Sequence, residues 1–491
     1  MPRSRATPDL PLRIRRGSGP LPTQIVEQMR ALVTSGGLRP GDPVPSTRSL
    51  AHRLGISRGS VSTAYDQLAG EGYLVADHGS TYITPDLPSP TTSEPPRVPG
   101  NSVVPRDGKS GDLAEVEFDI RPGTPDTSAL TTTTWRAAWR SAAASPSLGY
   151  GAHGSAELRW RLTEYLRTMR SVTAAPEDVL VTAGARDGLR LLLTAFSRKL
   201  GRRLTVAVED PGYPSLHRVP EALGHRVVPI PLDGQGLNPT YLPTGSVSAS
   251  DGSARPDIVL VTPSHQYPLG ASMPVARRLE LIRWAREHEA ILVEDDYDSE
   301  LRYVGDPLPA LVALDTKDAA GGGCVVTLGS FAKILTPGLG LGFVLMTPQI
   351  RDDLLSLKHD AGAPVSGIVQ DAMTQYLAAD GLRRHTARMR REYRRRRDLL
   401  AHVLAPGELP PETTVRPMDG GLHAVLELPA DADEQALVDA ARRQGVAVSG
   451  LSGYWNHGGK RPGLVVGFGG LSEARLHRAL ILLRGVLRSH H

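Results

Sequence analysis

The sequence predicts a small α+β unit near the N-terminus, a larger α/β unit on a parallel sheet, and a smaller α+β unit at the C-terminus. Three observations predict this. Residues 21–84 hold helical patterns broken by Gly turns and followed by a hairpin pattern. Beyond residue 115, continuous apolar runs alternate with helical patterns, as parallel strands covered on both faces require. From about residue 371 the pattern changes to a long Arg-rich helix and then short strands. At 491 residues the chain is also too long for one core.

Residues 1–20 contain six prolines and glycines and five arginines, which reads as a flexible arm. Ile25, Met29, Leu32 and Val33 then fall at helical spacing until Gly36-Gly37. Ser46 caps a short helix with Leu50, Ala51 and Leu54. Gly55 breaks it, and Ser57 caps a second with Val61, Ala64, Tyr65 and Leu68. Tyr73-Leu74-Val75, a turn at His78-Gly79, and Tyr82-Ile83 form the hairpin. Residues 85–115 are rich in Pro, Ser, Thr and Gly, a semi-rigid linker.

The large unit, 116–370, has strand candidates at 178–182, 204–208, 258–261, 291–293, 324–328 and 342–345. The small unit, 371–491, has strands at Leu422–Leu428 and Leu464–Phe468. Nine arginines between 383 and 397 lie on one predicted helix, expected to be a solvated surface helix; a second DNA-contacting patch is the sharper alternative.

Hydrophobic content of 40% and charged content of 22% are ordinary for a globular protein. The lone Cys324 excludes an intramolecular disulfide and fits a reducing compartment. No apolar run approaches membrane-spanning length, so a cytoplasmic protein without membrane contact is expected; no metal site is expected either.

Residues 1–84 carry ten arginines, no lysine and six acids, an excess of +4 that equals the excess of the whole chain. Two short helices joined by a tight turn have helix-turn-helix spacing. Arg58, Ser60 and Thr63 share the face opposite Val61, Ala64 and Leu68, and are free to enter a major groove. The DNA-contact candidates are Arg48, Ser57, Arg58, Ser60, Thr63, His78 and Gly79. Pro45-Ser46-Thr47-Arg48-Ser49-Leu50-Ala51, Leu54-Gly55-Ile56-Ser57-Arg58 and Glu71-Gly72-Tyr73-Leu74 resemble a GntR-type winged helix. That resemblance implies a double-stranded DNA operator. One departure is the wing tip, where His78-Gly79-Ser80-Thr81 is one glycine short of the usual pattern.

The larger unit has the parts of a pyridoxal-phosphate site. Such a cofactor needs an amine, an acid for its ring nitrogen, a phosphate cup and a flat ring partner. Lys333, after a small-polar turn, supplies the amine. Asp295 ends an apolar run, with Tyr297 beside it as a contact for the ring oxygen. Thr182-Ala183-Gly184-Ala185-Arg186 passes from strand to helix, where exposed amides cup a phosphate, and Ser330 adds a hydroxyl. Tyr213, in a Pro-Gly turn, is the stacking candidate.

Segments 182–186, 209–214, 262–270, 294–300 and 329–342 resemble, in sequence order, the fold-type I aminotransferase-like domain of MocR/GabR-type regulators. That family fuses a GntR-type winged helix to such a domain. The resemblance implies that Lys333 is the Schiff-base lysine, Asp295 the ring-nitrogen partner with Asp296 as fallback, Tyr297 the ring-oxygen contact and Tyr213 the stacking residue. It also implies a head-to-tail homodimer and an effector that is pyridoxal 5'-phosphate or an amine or amino acid bound through it, with vitamin B6 or amino-acid metabolism genes as targets.

Three departures bear on turnover. Gly340 stands where the family commonly has a phosphate-binding Arg. Val465 stands where active aminotransferases carry an Arg for the substrate carboxylate, and Tyr267 where they carry an Asn. A DNA-binding regulator is therefore expected. An active pyridoxal-phosphate-dependent aminotransferase carrying a DNA-binding domain, and a cofactor-free regulator using the fold as a scaffold, are the alternatives.

Overall fold

The computed structural model describes residues 10–77, 80–85, 87, 116–246, 254–305, 308–315, 323–362, 365–456 and 461–490. The expected contacts at His78 and Gly79 and most of the linker lie outside these residues. The chain divides into two compact units, residues 1–109 and 110–491.

Unit one contains α1 (Leu21–Thr34), β1 (Pro43–Val44), α2 (Thr47–Leu54), α3 (Arg58–Gly70), β2 (Leu74–Asp77) and β3 (Ser80–Ile83). Ser46 Oγ accepts from Ser49 N at 3.1 Å and Ser57 Oγ from Ser60 N at 3.1 Å, so both predicted caps hold free helix amides. Gly55 closes α2 at φ 63°, a left-handed conformation that glycine reaches without strain. β3 pairs with both β1 and β2 in a three-stranded sheet. Ile25, Met29, Leu50, Val61, Leu68 and Ile83 form the core. Residues 10–16 correct the expectation of a flexible arm. Leu10 and Leu12 are buried in this core, Ile14 packs against it, and the segment bonds to α1.

Unit two begins with β4 (Phe118–Asp119), α4 (Thr133–Ala144), α5 (Ala156–Arg170), β5 (Val179–Thr182), α6 (Ala185–Leu200), β6 (Thr205–Asp210) and α7 (Pro214–Ala222). Next come β7 (Arg226–Asp233), β8 (Gly236–Leu237), β9 (Ile258–Val261), α8 (Val275–Glu287), β10 (Ile291–Asp296) and α9 (Leu311–Leu314). They are followed by β11 (Val325–Ser330), β12 (Gly342–Leu345), α10 (Pro348–Ala361), α11 (Gly367–Ala378) and α12 (Gly381–Val403). The last are β13 (Thr414–Val415), β14 (His423–Glu427), α13 (Glu434–Arg443), β15 (Val446–Ala447), β16 (Ser449–Gly450), β17 (Gly463–Gly467) and α14 (Glu473–Ser489).

The main sheet has the order β5-β12-β11-β10-β9-β6-β7-β8. All six expected strands are in it, but the sheet is mixed. β12 runs antiparallel to both β11 and β5, which corrects the all-parallel expectation. An apolar run shows that a strand is buried and says nothing about its direction. β7 was not expected, because Pro229 and Pro231 remove ladder donors; the strand lies near the sheet edge, where that loss is tolerated.

The second sheet has the order β13-β14-β17-β16. β4 pairs with β15, so Phe118 and Ile120 enter the same core as Leu464, Phe468 and Leu480. Residues at the start of the expected large domain thus pack within the small one.

The arginines of α12 are not simply solvated. Arg396 is buried and donates to Gly469 O and Asp126 Oδ2, both at 2.6 Å. Arg388 donates to Ala129 O, and Arg394 to Tyr303 O at 2.9 Å. The helix is thereby latched to several segments, a role that composition does not reveal. Among the described residues no helix is long and apolar enough to cross a membrane.

Candidate functional site

On the α2–α3 face, Arg48 and Thr63 are exposed, and Arg58 Nε sits 3.4 Å from Thr47 Oγ1. Ser57 and Ser60 are less available than expected, because their hydroxyls bond each other at 2.8 Å within the cap.

In unit two, the chain leaving the C-terminal ends of β5, β6, β9, β10 and β11 carries the remaining candidates, where an open α/β sheet offers a binding crevice. Lys333 Nζ donates to Gly123 O at 2.9 Å and lies 5.9 Å from the Tyr213 ring centroid. Gly123 has φ 96°, and a Cβ there would come within 2.6 Å of that nitrogen, so a side chain at this position would strain the backbone and displace the amine. Tyr213 meets Tyr267 edge-on at 5.2 Å, and Tyr267 meets Tyr297 edge-on at 5.9 Å.

Asp295 and Asp296 are told apart by their partners. Asp296 forms a 2.6 Å ion pair with Arg170, both side chains being at least nine-tenths buried. The Oδ1 atoms of both carboxyls lack a hydrogen-bond partner among the described residues, but Asp295, which is buried, has no ion pair there to offset it. Burial, reinforced by the charges of Asp296 and Asp298, pushes its carboxyl up to about 8. A buried acid aimed at nothing is costly unless a cationic N–H meets it.

That elevation sets the pH dependence of stability. The unfolded carboxyl ionises near 4, so the folded state holds its proton more tightly. The stabilisation is present below pH 4 and is lost as pH rises toward 8. Asp295→Asn is therefore expected to gain stability over the ligand-free wild type as pH rises from 5 to 8, by at most about 1.4 kcal/mol per pH unit. Thermal melts across that range check this; a pH-independent difference between the two proteins refutes it.

Thr182, Gly342 and Ser330 sit abreast across β5, β12 and β11. Gly342 lies so close to Gly184 that a Cβ on it would be 2.8 Å from the Gly184 Cα. Gly184 has φ 106° and offers α6 no side-chain cap; Asp187 in the first turn takes the Ala183 amide at 3.0 Å, which leaves the amides of Ala185 and Arg186 for an anion. Ser330 Oγ accepts from Ala332 N at 3.1 Å, and Arg186 is exposed.

Tyr297 is half-buried and its hydroxyl donates to His265 O at 2.8 Å, so it is engaged rather than free. His265 Nδ1 lies 2.9 Å from Asp298 Oδ2. The residues missed were His265, Asp298, Glu209, His423 and Tyr454. Glu209, pushed up to about 7 by burial, accepts from Thr262 N and Thr262 Oγ1. His423 and Tyr454 come from the C-terminal segments and pack on Tyr267 at 4.7 and 5.6 Å. Gly212 N donates to Tyr454 O at 3.1 Å and Asn456 N to Asp210 Oδ1 at 2.8 Å, clasping these segments over the turn that carries Tyr213. His265 and Glu209 lie within motifs already singled out; nothing local marks Tyr454.

Residues 21–83 match the family model "Bacterial regulatory proteins, gntR family", and residues 123–457 match "Aminotransferase class I and II". The chain is 44% identical to the HTH-type pyridoxine biosynthesis transcriptional regulator PdxR of Corynebacterium glutamicum, with 94% of each chain covered. It is 32% identical to the probable rhizopine catabolism regulatory protein MocR of Rhizobium meliloti, covering 95% of this chain and 93% of that one. The chain belongs to the MocR-type transcriptional regulators.

The regulator's unit two also has an enzyme's fold. An archaeal alanine:glyoxylate aminotransferase superposes with a TM-score of 0.69 at 20% identity, covering 76% of this chain and 91% of that one. Val465, at the position expected for a substrate-binding Arg, is fully buried among Val425 and Leu451.

Proposed function

We propose that this MocR-type regulator binds a double-stranded DNA operator through residues 21–84 and holds pyridoxal 5'-phosphate in unit two, cofactor occupancy altering operator affinity. It acts in the cytoplasm as a head-to-tail homodimer. The observation that carries the reading is the buried, unpartnered Oδ1 of Asp295, in the same crevice as Lys333 and the open start of α6. When bound, the cofactor supplies an aldehyde that an amine can join and a ring nitrogen that carries a proton. Lys333 is the amine, Asp295 faces the ring nitrogen, Tyr213 covers the ring, Tyr297 contacts its oxygen, and Gly184, Ala185, Arg186 and Ser330 hold the phosphate.

Pyridoxal phosphate itself is favoured as the signal over an amino acid joined through it. Val465 offers no cation to a carboxylate, and Tyr267 is packed among four aromatic rings where an aminotransferase has a short amide. The pyridoxine biosynthesis role in the name of the Corynebacterium relative supports vitamin B6 genes as the target.

Anisotropy titrations of an operator duplex, with and without saturating pyridoxal phosphate, test the linkage. A coupling of about 1–3 kcal/mol, roughly 5- to 150-fold in affinity, is expected. Equal affinities overturn it.

Gly340→Arg probes the phosphate grip. Gly340 has φ 54°, and a Cβ there meets nothing within 4 Å, so the cost of a side chain is left-handed backbone strain of about 1–2 kcal/mol. That strain is common to free and bound protein, whereas a guanidinium at the phosphate adds about 1.5–3 kcal/mol only when the cofactor is present. The expected result is a lower melting temperature with tighter cofactor binding. Unchanged affinity in a folded variant means another residue already fills that position.

A further inference from the structure

Residues 10–16 pair with α1 through side-chain amides. Arg13 N donates to Gln28 Oε1 at 2.8 Å, and Gln28 Nε2 donates back to Arg13 O at 2.9 Å. Arg15 N and O make the same pair of bonds with Gln24, both at 3.0 Å. The spacings match: four residues of helix rise about 6.0 Å, and two residues of extended chain span about 6.6 Å. Gln24 and Gln28 thus act as a two-rung ladder for an extended segment.

Alternation along that segment then decides which way its side chains point. Leu10 and Leu12 go into the core with Ile14 against it, while Pro11, Arg13 and Arg15 are exposed. Among the described residues, neither the Arg13 nor the Arg15 guanidinium meets a carboxylate. Arg16 is tied down instead: its Nη2 donates at 2.8 Å to the carbonyl of Gly55, the left-handed residue in the turn between α2 and α3. This row of cations therefore ends at the turn that precedes Ser57 and Arg58. A tail serving only solubility needs neither buried leucines nor a paired backbone edge.

We infer that residues 10–16 form a phosphate-binding rail of the DNA reader, on which Arg13, Arg15 and Arg16 contact the backbone of the duplex beside the bases met by α3. The inference rests on the reading that α3 enters a major groove. Because the ladder fixes the backbone before DNA arrives, the arginines lose less conformational freedom on binding than those of a free tail. Phosphate contacts of this kind strengthen binding to every sequence and carry no base preference.

The test uses the full chain with Arg13→Gln/Arg15→Gln, which leaves the backbone ladder and the buried leucines in place, and separately Arg16→Gln. Binding to an operator and to a random duplex is measured at 50 and 200 mM salt. Each lost contact is expected to lower the slope of log K against log salt by about 0.9, so that affinity falls about 3.5-fold less over this fourfold salt range per contact. The ratio of operator to random affinity stays constant, and the melting temperature of the Arg13→Gln/Arg15→Gln variant matches wild type. An unchanged slope in both folded variants overturns the rail while leaving the α3 reading intact. A changed operator-to-random ratio overturns the phosphate assignment in favour of base contact. If wild type binds neither duplex, the DNA reading itself fails and the rail with it.

Discussion

Lys333→Ala is expected to abolish covalent capture of pyridoxal phosphate. Wild-type protein mixed with the cofactor should absorb above about 400 nm. After borohydride reduction it should carry one pyridoxyl group on the peptide containing Lys333, and the alanine variant none. The expected effect is complete because no other described lysine is placed to substitute. Lys199 is held by Asp353 at 2.7 Å, and Lys358 is buried 3.9 Å from Asp187, whereas Lys333 alone lies over the Tyr213 ring. The remaining contacts at Asp295 and the start of α6 should leave the variant with residual, reversible affinity. Identical spectra and a label on neither protein refute the cofactor reading.

The second large effect concerns operator recognition. Arg58 is the first residue of α3, where side chains of a recognition helix reach base edges, and among the described residues a 3.4 Å contact with Thr47 Oγ1 is what restrains it. Arg58→Ala should cost about 1–3 kcal/mol on the operator and much less on random duplex. Arg48, exposed in the first turn of α2, suits a phosphate. Arg48→Ala should weaken both duplexes alike and flatten the salt dependence by about one unit. Gel-shift titrations on both duplexes at two salt concentrations separate these roles, and wild-type operator affinity in both variants means that the docking face lies elsewhere.

The helix-turn-helix was readable because its signals are local: Ser46 and Ser57 cap adjacent helices, and Gly55 stands where the chain turns left-handed. Lys333 and Asp295 stood out as candidates because each stands at the end of an apolar run, so order along the chain carried information about space. The choice between Asp295 and Asp296 needed Arg170, which is remote in sequence. Leu10, Leu12 and Ile14 alternate for only three positions within a Pro- and Arg-rich stretch, too short a signal to outweigh composition. The aromatic surroundings of Tyr267 were hidden for a different reason. His423 and Tyr454 arrive from segments more than 150 residues away, and no pattern near either residue records that meeting.

The clasp between Asn456 and Asp210 joins residues 246 positions apart. A ribosome emits a chain from its N-terminus at about 5–20 residues per second. The core of unit one draws on residues 10–87 alone, so the operator reader can fold while the sensor is still being made. The crevice around Lys333 lacks its cover until residue 456 has emerged. Messages cut short between these points would leave unit one without the crevice of unit two.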